Sequence, residues 1–240
     1  MTSMERQSVG GVHRLSPEMD SIIAPGARVE VLAEGFDWAE GPVWVEAGGY
    51  LLFTDVPQNV IWRWSETGGL SEFMRPSGFD GEDGSHLREP GANGLVIEPA
   101  GTLLMCDHGN RSLSRVDLAT REKTIVVDRF EGRRFNSPND LVIHRSGAVY
   151  FTDPPYGLEG MNESPVKELA HNGLYRMAPH GAVRPSPKRV LARRGVRDRA
   201  ARVPPPGRRE SRRPHARHST ASATPDPGGG SRGRSSPRAC

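Results

Sequence analysis

Residues 137–153 read SPNDLVIHRSGAVYFTD, and two earlier stretches repeat the plan: WAEGPVWVEAGGYLLFTD over residues 38–55 and PGANGLVIEPAGTLLMCD over residues 90–107. Each holds an apolar run, a Gly-containing turn and a second apolar run that closes on Asp. Short apolar runs bounded by turn residues predict strands joined as hairpins. The closing residues Asp55, Asp107 and Asp153 lie 52 and 46 positions apart, and a repeat of roughly 45–50 residues is what β-propeller blades show. Counting back, Asn139 lies 14 positions before Asp153, Asn93 lies 14 before Asp107, and Glu40 lies 15 before Asp55. As blades, the three segments would place Glu40, Asn93 and Asn139 at the openings of equivalent innermost strands, which converge at one end of a central channel.

Working outward, the chain divides into three parts. Residues 1–27 read as a flexible leader ending at the Pro25-Gly26 stop, and Val29 to Leu32 (VEVL) is a short strand candidate. Residues 28–192 carry the repeats and predict an all-β domain of about three propeller blades, with helix signals nearly absent. Residues 75–92, rich in Gly, Pro and acids, predict a long loop at the channel mouth, and ordered loops of that length are uncommon and often functional. A second insertion, PPYGLEGMNESPVKELAHN, separates the middle strands of the third segment.

Residues 193–240 contain no aromatic residue and no Ile, Asn or Lys, a composition too poor in apolar surface to fold and expected to be disordered. Two readings of it stay open. It is a basic tail that contacts nucleic acid, or it is an out-of-frame translation of GC-rich DNA that encoded further blades.

The net charge of +3 averages two different polymers. Residues 191–240 hold 13 Arg and three acids, a net of +10, whereas residues 1–190 hold 19 basic and 26 acidic side chains, a net of −7. The blade region is therefore mildly acidic and gives no electrostatic reason to bind nucleic acid. Cys106 and Cys240 supply no disulfide framework and suit a reducing, cytoplasmic setting. No apolar run approaches the roughly 20 residues needed to span a bilayer, so no membrane partner is expected.

These motifs resemble the SMP-30/gluconolactonase/LRE family of six-bladed propeller lactonases. The resemblance is carried by Ala39-Glu40-Gly41-Pro42-Val43-Trp44, Leu52-Phe53-Thr54-Asp55, Asn93-Gly94-Leu95, Cys106-Asp107-His108-Gly109-Asn110-Arg111, Asn136-Ser137-Pro138-Asn139-Asp140 and Phe151-Thr152-Asp153-Pro154-Pro155-Tyr156-Gly157. It covers about residues 28–190, the first half of the family's propeller. It implies hydrolysis of sugar lactones with one divalent cation, calcium or zinc, held in the channel. Glu40 matches the family's carboxylate metal ligand, Asn139 a residue that contacts metal or substrate, and Asn93 a residue lining the pocket. The family's remaining ligands, an Asn and the Asp that serves as general base, come from later blades, and neither has a counterpart here. The resemblance therefore implies a lactonase whose catalysis is impaired in this chain. The competing expectation is a non-catalytic truncated propeller, or a binding module whose basic tail contacts nucleic acid.

Elementary chemistry agrees with a hard cation, since one carboxylate and carboxamide oxygens suit calcium. His108, just past a strand end, is a weaker candidate for acid–base work; a lone histidine in a turn is more often structural. Asp55, Asp107 and Asp153 recur with the repeat and are expected to cap turns. Asp80, Glu82 and Asp83 do not have the spacing of an EF-hand loop and read as a solvated loop. Trp44, Trp62 and Trp64 are expected to pack between blades.

Overall fold

A computed structural model of the chain describes residues 6–186. The Arg-rich segment 193–240, with Cys240, lies outside the described residues. What is described is all-β, with three short 3-10 turns and no α-helix. No helix among the described residues is long and apolar enough to cross a membrane.

Three four-stranded antiparallel sheets follow one another along the chain, each a meander in sequence order. The first comprises β1 (Ala39–Val45), β2 (Tyr50–Asp55), β3 (Val60–Ser65) and β4 (Gly69–Met74). The second comprises β5 (Ala92–Ile97), β6 (Leu103–Asp107), β7 (Ser112–Val116) and β8 (Lys123–Val127). After a two-stranded hairpin of β9 (Arg129–Phe130) and β10 (Arg133–Arg134), the third comprises β11 (Leu141–Ile143), β12 (Val149–Asp153), β13 (Gly173–Met177) and β14 (Val183–Pro185). This is the blade pattern of a β-propeller. The turns that open each blade contain Gly49, Gly101 and Gly147, all at positive φ, a conformation that costs a residue with a Cβ.

Period-2 alternation explains how successive blades stack. Side chains on a strand point alternately to opposite faces, and the LLMCD strand β6 is apolar on both. Leu103 and Met105 enter a core shared with Val45, Leu52, Ile61 and Phe73 of the first blade. Leu104 and Cys106 enter a second core with Leu141, Val149, Phe151 and Tyr175 of the third. The second core is knit by rings: Phe135 meets Phe151 edge-on at 5.2 Å, and Phe151 stacks on Tyr175 at 5.5 Å. The middle blade is thus buried on both faces, which is why its second strand reads as a continuous apolar run.

The far face of the first blade is different. Phe36 packs edge-on against Phe53 at 5.0 Å and against Trp62 at 5.8 Å, covering part of it. Trp64 is buried, but Trp44 is 47% exposed. The expectation that Trp44 packs between blades is corrected: Val43 and Val45 take the core side of β1, and alternation turns Trp44 to the opposite face, where its indole N–H bonds Glu46 at 2.9 Å. The VEVL segment forms no strand of its own. Glu30 makes an isolated bridge with Ser8, flanked by Val9 N–H to Val29 O and Val31 N–H to Gln7 O, both 2.9 Å. Part of the expected leader is therefore paired to it.

Candidate functional site

The innermost strands of the first two blades start in the same way. Ala39 pairs with Asp55 and Ala92 pairs with Asp107, and in each case the next residue is the polar one, Glu40 or Asn93. An extra residue follows at once. Between Glu40 and Val43, and again between Ala92 and Leu95, three steps on the inner strand oppose two on its partner. Such bulges bend a strand and re-aim its side chains. In the third blade Asn139 lies just ahead of β11 but continues the ladder, with its N–H donating to Thr152 O at 2.9 Å.

Adjacent blades are stitched at these residues. Gly94 N–H donates to Asn139 O at 2.8 Å, and the Thr54 hydroxyl donates to Asn93 O at 3.1 Å. Glycines make the approach feasible: a Cβ on Gly94 would stand 2.8 Å from Asn139 O, and one on Gly41 would collide with the Asn93 carbonyl.

The result is a cavity of about 650 Å³ lined in part by Trp38, Glu40, Asn93, Asn139 and Asp140. Asn93 is buried, and its carboxamide N–H donates to Asn139 Oδ1 at 3.3 Å. Glu40 Oε1 accepts from the Trp38 indole at 3.0 Å. Asp140 Oδ1 accepts from the Leu141 amide at 2.8 Å. The three residues singled out from the repeat therefore share one cavity, each brought by a different blade.

Four further lining residues, Arg88, Glu89, Tyr156 and Met161, come from the two long insertions. These segments pair with each other: Leu87 bridges Leu158, Arg88 N–H donates to Gly157 O at 3.0 Å, and Glu159 N–H donates to His86 O at 2.9 Å. The sequence marked the first insertion as a channel-mouth loop but carried no signal for Arg88 or Glu89 themselves, which have no counterpart in the repeat.

His108 is placed behind this wall. Its ring is fully buried and does not line the cavity; Nδ1 lies 3.3 Å from Glu89 Oε2. The closing aspartates lie away from the cavity and hold backbone. Asp55 accepts the amides of Asp37 and Trp38, both at 3.1 Å, and Asp153 accepts that of Asn136 at 2.9 Å. Asp107 instead accepts the amide of Asn110 in the following turn, while Ser77 Oγ receives the Ala92 amide. Burial without full compensation pushes the Asp153 carboxyl up to about 7. The Cys106 thiol is likewise pushed up, first by burial and then by the nearby Asp140, Asp153 and Asp107.

Among the described residues no three His, Cys, Asp or Glu side chains cluster in a way that could hold a metal ion. The donors that the repeat brings here are of another kind: one carboxylate, Glu40, and two carboxamides, Asn93 and Asn139, with Asp140 and Glu89 as further carboxylates in the lining. An all-oxygen set of this type suits calcium and lacks the nitrogen or sulfur ligands usual for zinc.

Residues 38–196 match the family model described as the SMP-30/gluconolactonase/LRE-like region. A curated gluconolactonase of Zymomonas mobilis is 44% identical over 180 residues, which cover 75% of this chain and 51% of that protein. Among solved structures, a structural-genomics target assigned to the gluconolactonases is 35% identical with a TM-score of 0.60, covering 71% of this chain and 56% of its own. A gluconolactonase of Xanthomonas campestris is 28% identical with a TM-score of 0.59, covering 76% and 56%. The chain spans about half the length of these relatives.

Proposed function

The chain belongs to the SMP-30/gluconolactonase/LRE-like family, and from that premise we propose that its cavity binds a sugar lactone and serves lactone hydrolysis with one divalent cation. The observation that carries the reading is the meeting of Glu40, Asn93 and Asn139, opened from three successive blades, on one cavity. The proposed substrate follows the relatives, which are gluconolactonases.

In this reading Glu40 and Asn139 hold the cation and Asn93 contacts substrate. The Trp38 indole fixes one Glu40 oxygen, and the Asn93 amide fixes the Asn139 carboxamide so that its oxygen is the ligating atom. A bound calcium or zinc ion would supply a Lewis acid for the lactone carbonyl and a more acidic water. Leu95 and Tyr156 share the wall and shield the bound ring from bulk water.

The donor count sets the proposed limit on activity. Glu40 and Asn139 supply two protein ligands, whereas calcium takes about six to eight. We therefore propose a weak cation site and turnover impaired relative to the relatives. A cytoplasmic setting stays part of the proposal, supported by Cys106, which is buried and has no disulfide partner among the described residues.

The test is hydrolysis of D-glucono-1,5-lactone, followed by acid release, with calcium or zinc added or chelated. A slow metal-dependent rate that falls at least about 100-fold in Glu40→Gln supports the reading. A rate indifferent to both chelator and substitution, or none with either metal, rejects it as an activity of this chain.

A further inference from the structure

Glu89 combines two properties that conflict unless it has a polar visitor. It is 7% exposed, yet its residue lines the same cavity as Glu40 and Asn139. A buried carboxylate is costly unless its oxygens are satisfied, and an ionised one can accept about four hydrogen bonds. The protein offers little: Oε1 lies 3.2 Å from Arg88 Nη1 and Oε2 lies 3.3 Å from His108 Nδ1. Neither imidazole nitrogen of His108 has a hydrogen-bond partner among the described residues, although the ring is fully buried.

The support behind this carboxylate is built, not incidental. Residues 88 and 89 both donate backbone N–H groups to Gly157 O, at 3.0 and 3.4 Å. Gly157 in turn packs where a Cβ would stand 2.8 Å from His108 Cβ and 2.9 Å from Ser137 Cβ. Arg88 is held further by Tyr156 O at 3.5 Å and by Met161 Sδ at 3.6 Å. Two insertions and the turn after β6 thus converge to hold one carboxylate at the cavity wall.

We infer that Glu89 is a specificity-determining residue that accepts hydrogen bonds from ring hydroxyls of a polyhydroxylated ligand, with Arg88 and His108 as positioning residues. The inference rests on the proposed lactone-binding role of the cavity. It assigns the ligand's two chemical features to different walls: the carbonyl end belongs to Glu40 and Asn139, and the hydroxyls belong to Glu89. A carboxylate accepting from hydroxyls makes charge-assisted bonds, roughly twice as strong as neutral ones, so a polyol ring is discriminated from a bare one.

Two probes separate these ends. 1,5-Anhydro-D-glucitol carries the ring hydroxyls without a carbonyl, and δ-valerolactone carries the carbonyl without hydroxyls. Ligand-detected NMR titration of the full chain in calcium would measure both, against Glu89→Gln, Arg88→Ala, Arg88→Lys and Glu40→Gln. The expected result is about a tenfold or greater loss of anhydroglucitol affinity in Glu89→Gln, in line with removal of a charged acceptor, with δ-valerolactone unchanged. Arg88→Ala, at an exposed position, should lose anhydroglucitol several-fold and Arg88→Lys should restore it, which a merely structural role would not produce. Equal anhydroglucitol affinity in wild type and Glu89→Gln, with δ-valerolactone still lost in Glu40→Gln, overturns this inference alone. Binding of neither probe by the wild-type chain overturns the lactone reading and this inference with it.

Discussion

Gly41 lies against the carbonyl of Asn93 so closely that a Cβ at position 41 would stand 3.1 Å from the carbonyl carbon and inside the contact distance of its oxygen. Gly41 also has φ +54°, in the left-handed region. One glycine therefore sets the distance between the first two inner strands and so between Glu40 and Asn93. Gly41→Ala is expected to cost about 2 kcal/mol or more, from left-handed strain together with a steric clash against backbone that cannot rotate away. Denaturant unfolding would measure the loss. The substitution should also lower lactone turnover, because it moves two site residues apart.

Asp153 makes the third blade sensitive to pH in an unusual direction. Its carboxyl is fully buried, Oδ1 has no hydrogen-bond partner among the described residues, and burial raises its pKa to about 7 despite the Asn136 amide on Oδ2 and the nearby charge of Arg111. The folded state then binds the proton more tightly than the unfolded chain, whose Asp titrates near its ordinary value of 3.8. The contribution to stability is complete below about pH 4 and is lost as pH rises through about 7, an effect on the order of a few kcal/mol. Asp153→Asn keeps an acceptor for the Asn136 amide and removes the titration. Urea unfolding between pH 4.5 and 8 should show a flatter profile for the variant, with stability at pH 8 no lower than that of the wild type. A parallel pair of profiles would reject the assignment.

How much of this was legible differs from residue to residue. The blades were readable because alternation, the hairpin glycines and the closing aspartates are local signals repeated three times. The convergence of Glu40, Asn93 and Asn139 on one cavity followed from that repetition. The bulges after Glu40 and Ala92 were not readable, since an extra residue in a strand leaves the apolar pattern nearly intact. Nor was the difference between Asp107 and its two counterparts, which depends on Ser77 reaching Ala92 from a loop. The pairing of Leu87 with Leu158 joins segments far apart in sequence and has no local mark. Arg88 and Glu89 therefore emerge only when the fold brings the insertions together. Trp44 shows the converse: a bulky apolar residue suggests burial, but its place in the alternation assigns it to the outer face.

Phe151 tests the packing between the second and third blades. It is fully buried, and its ring contacts both Phe135 and Tyr175. Phe151→Ala is expected to destabilise by about 3–5 kcal/mol through lost burial and the cavity left behind. Phe151→Leu should cost clearly less, since it retains much of the apolar volume. Thermal unfolding of the two variants checks the order, and equal losses would point to disrupted backbone instead of lost volume.

The clasp between the insertions gives the last expectation. If the Arg88 and Glu89 amides stay bonded to Gly157 O in solution, they should exchange with deuterium much more slowly than loop amides such as those of Glu82 and Asp83, for which no backbone acceptor is seen. Gly157→Ala introduces a Cβ 2.8 Å from His108 Cβ and 2.9 Å from Ser137 Cβ, and both neighbours are buried with no open side to move into. The loop must shift instead. Exchange at Arg88 and Glu89 should then rise at least about tenfold, equivalent to roughly 1.4 kcal/mol of lost local protection, while amides in β6 and β12 change little. Uniform acceleration across all three blades would mean that Gly157 supports the whole fold and not the clasp alone.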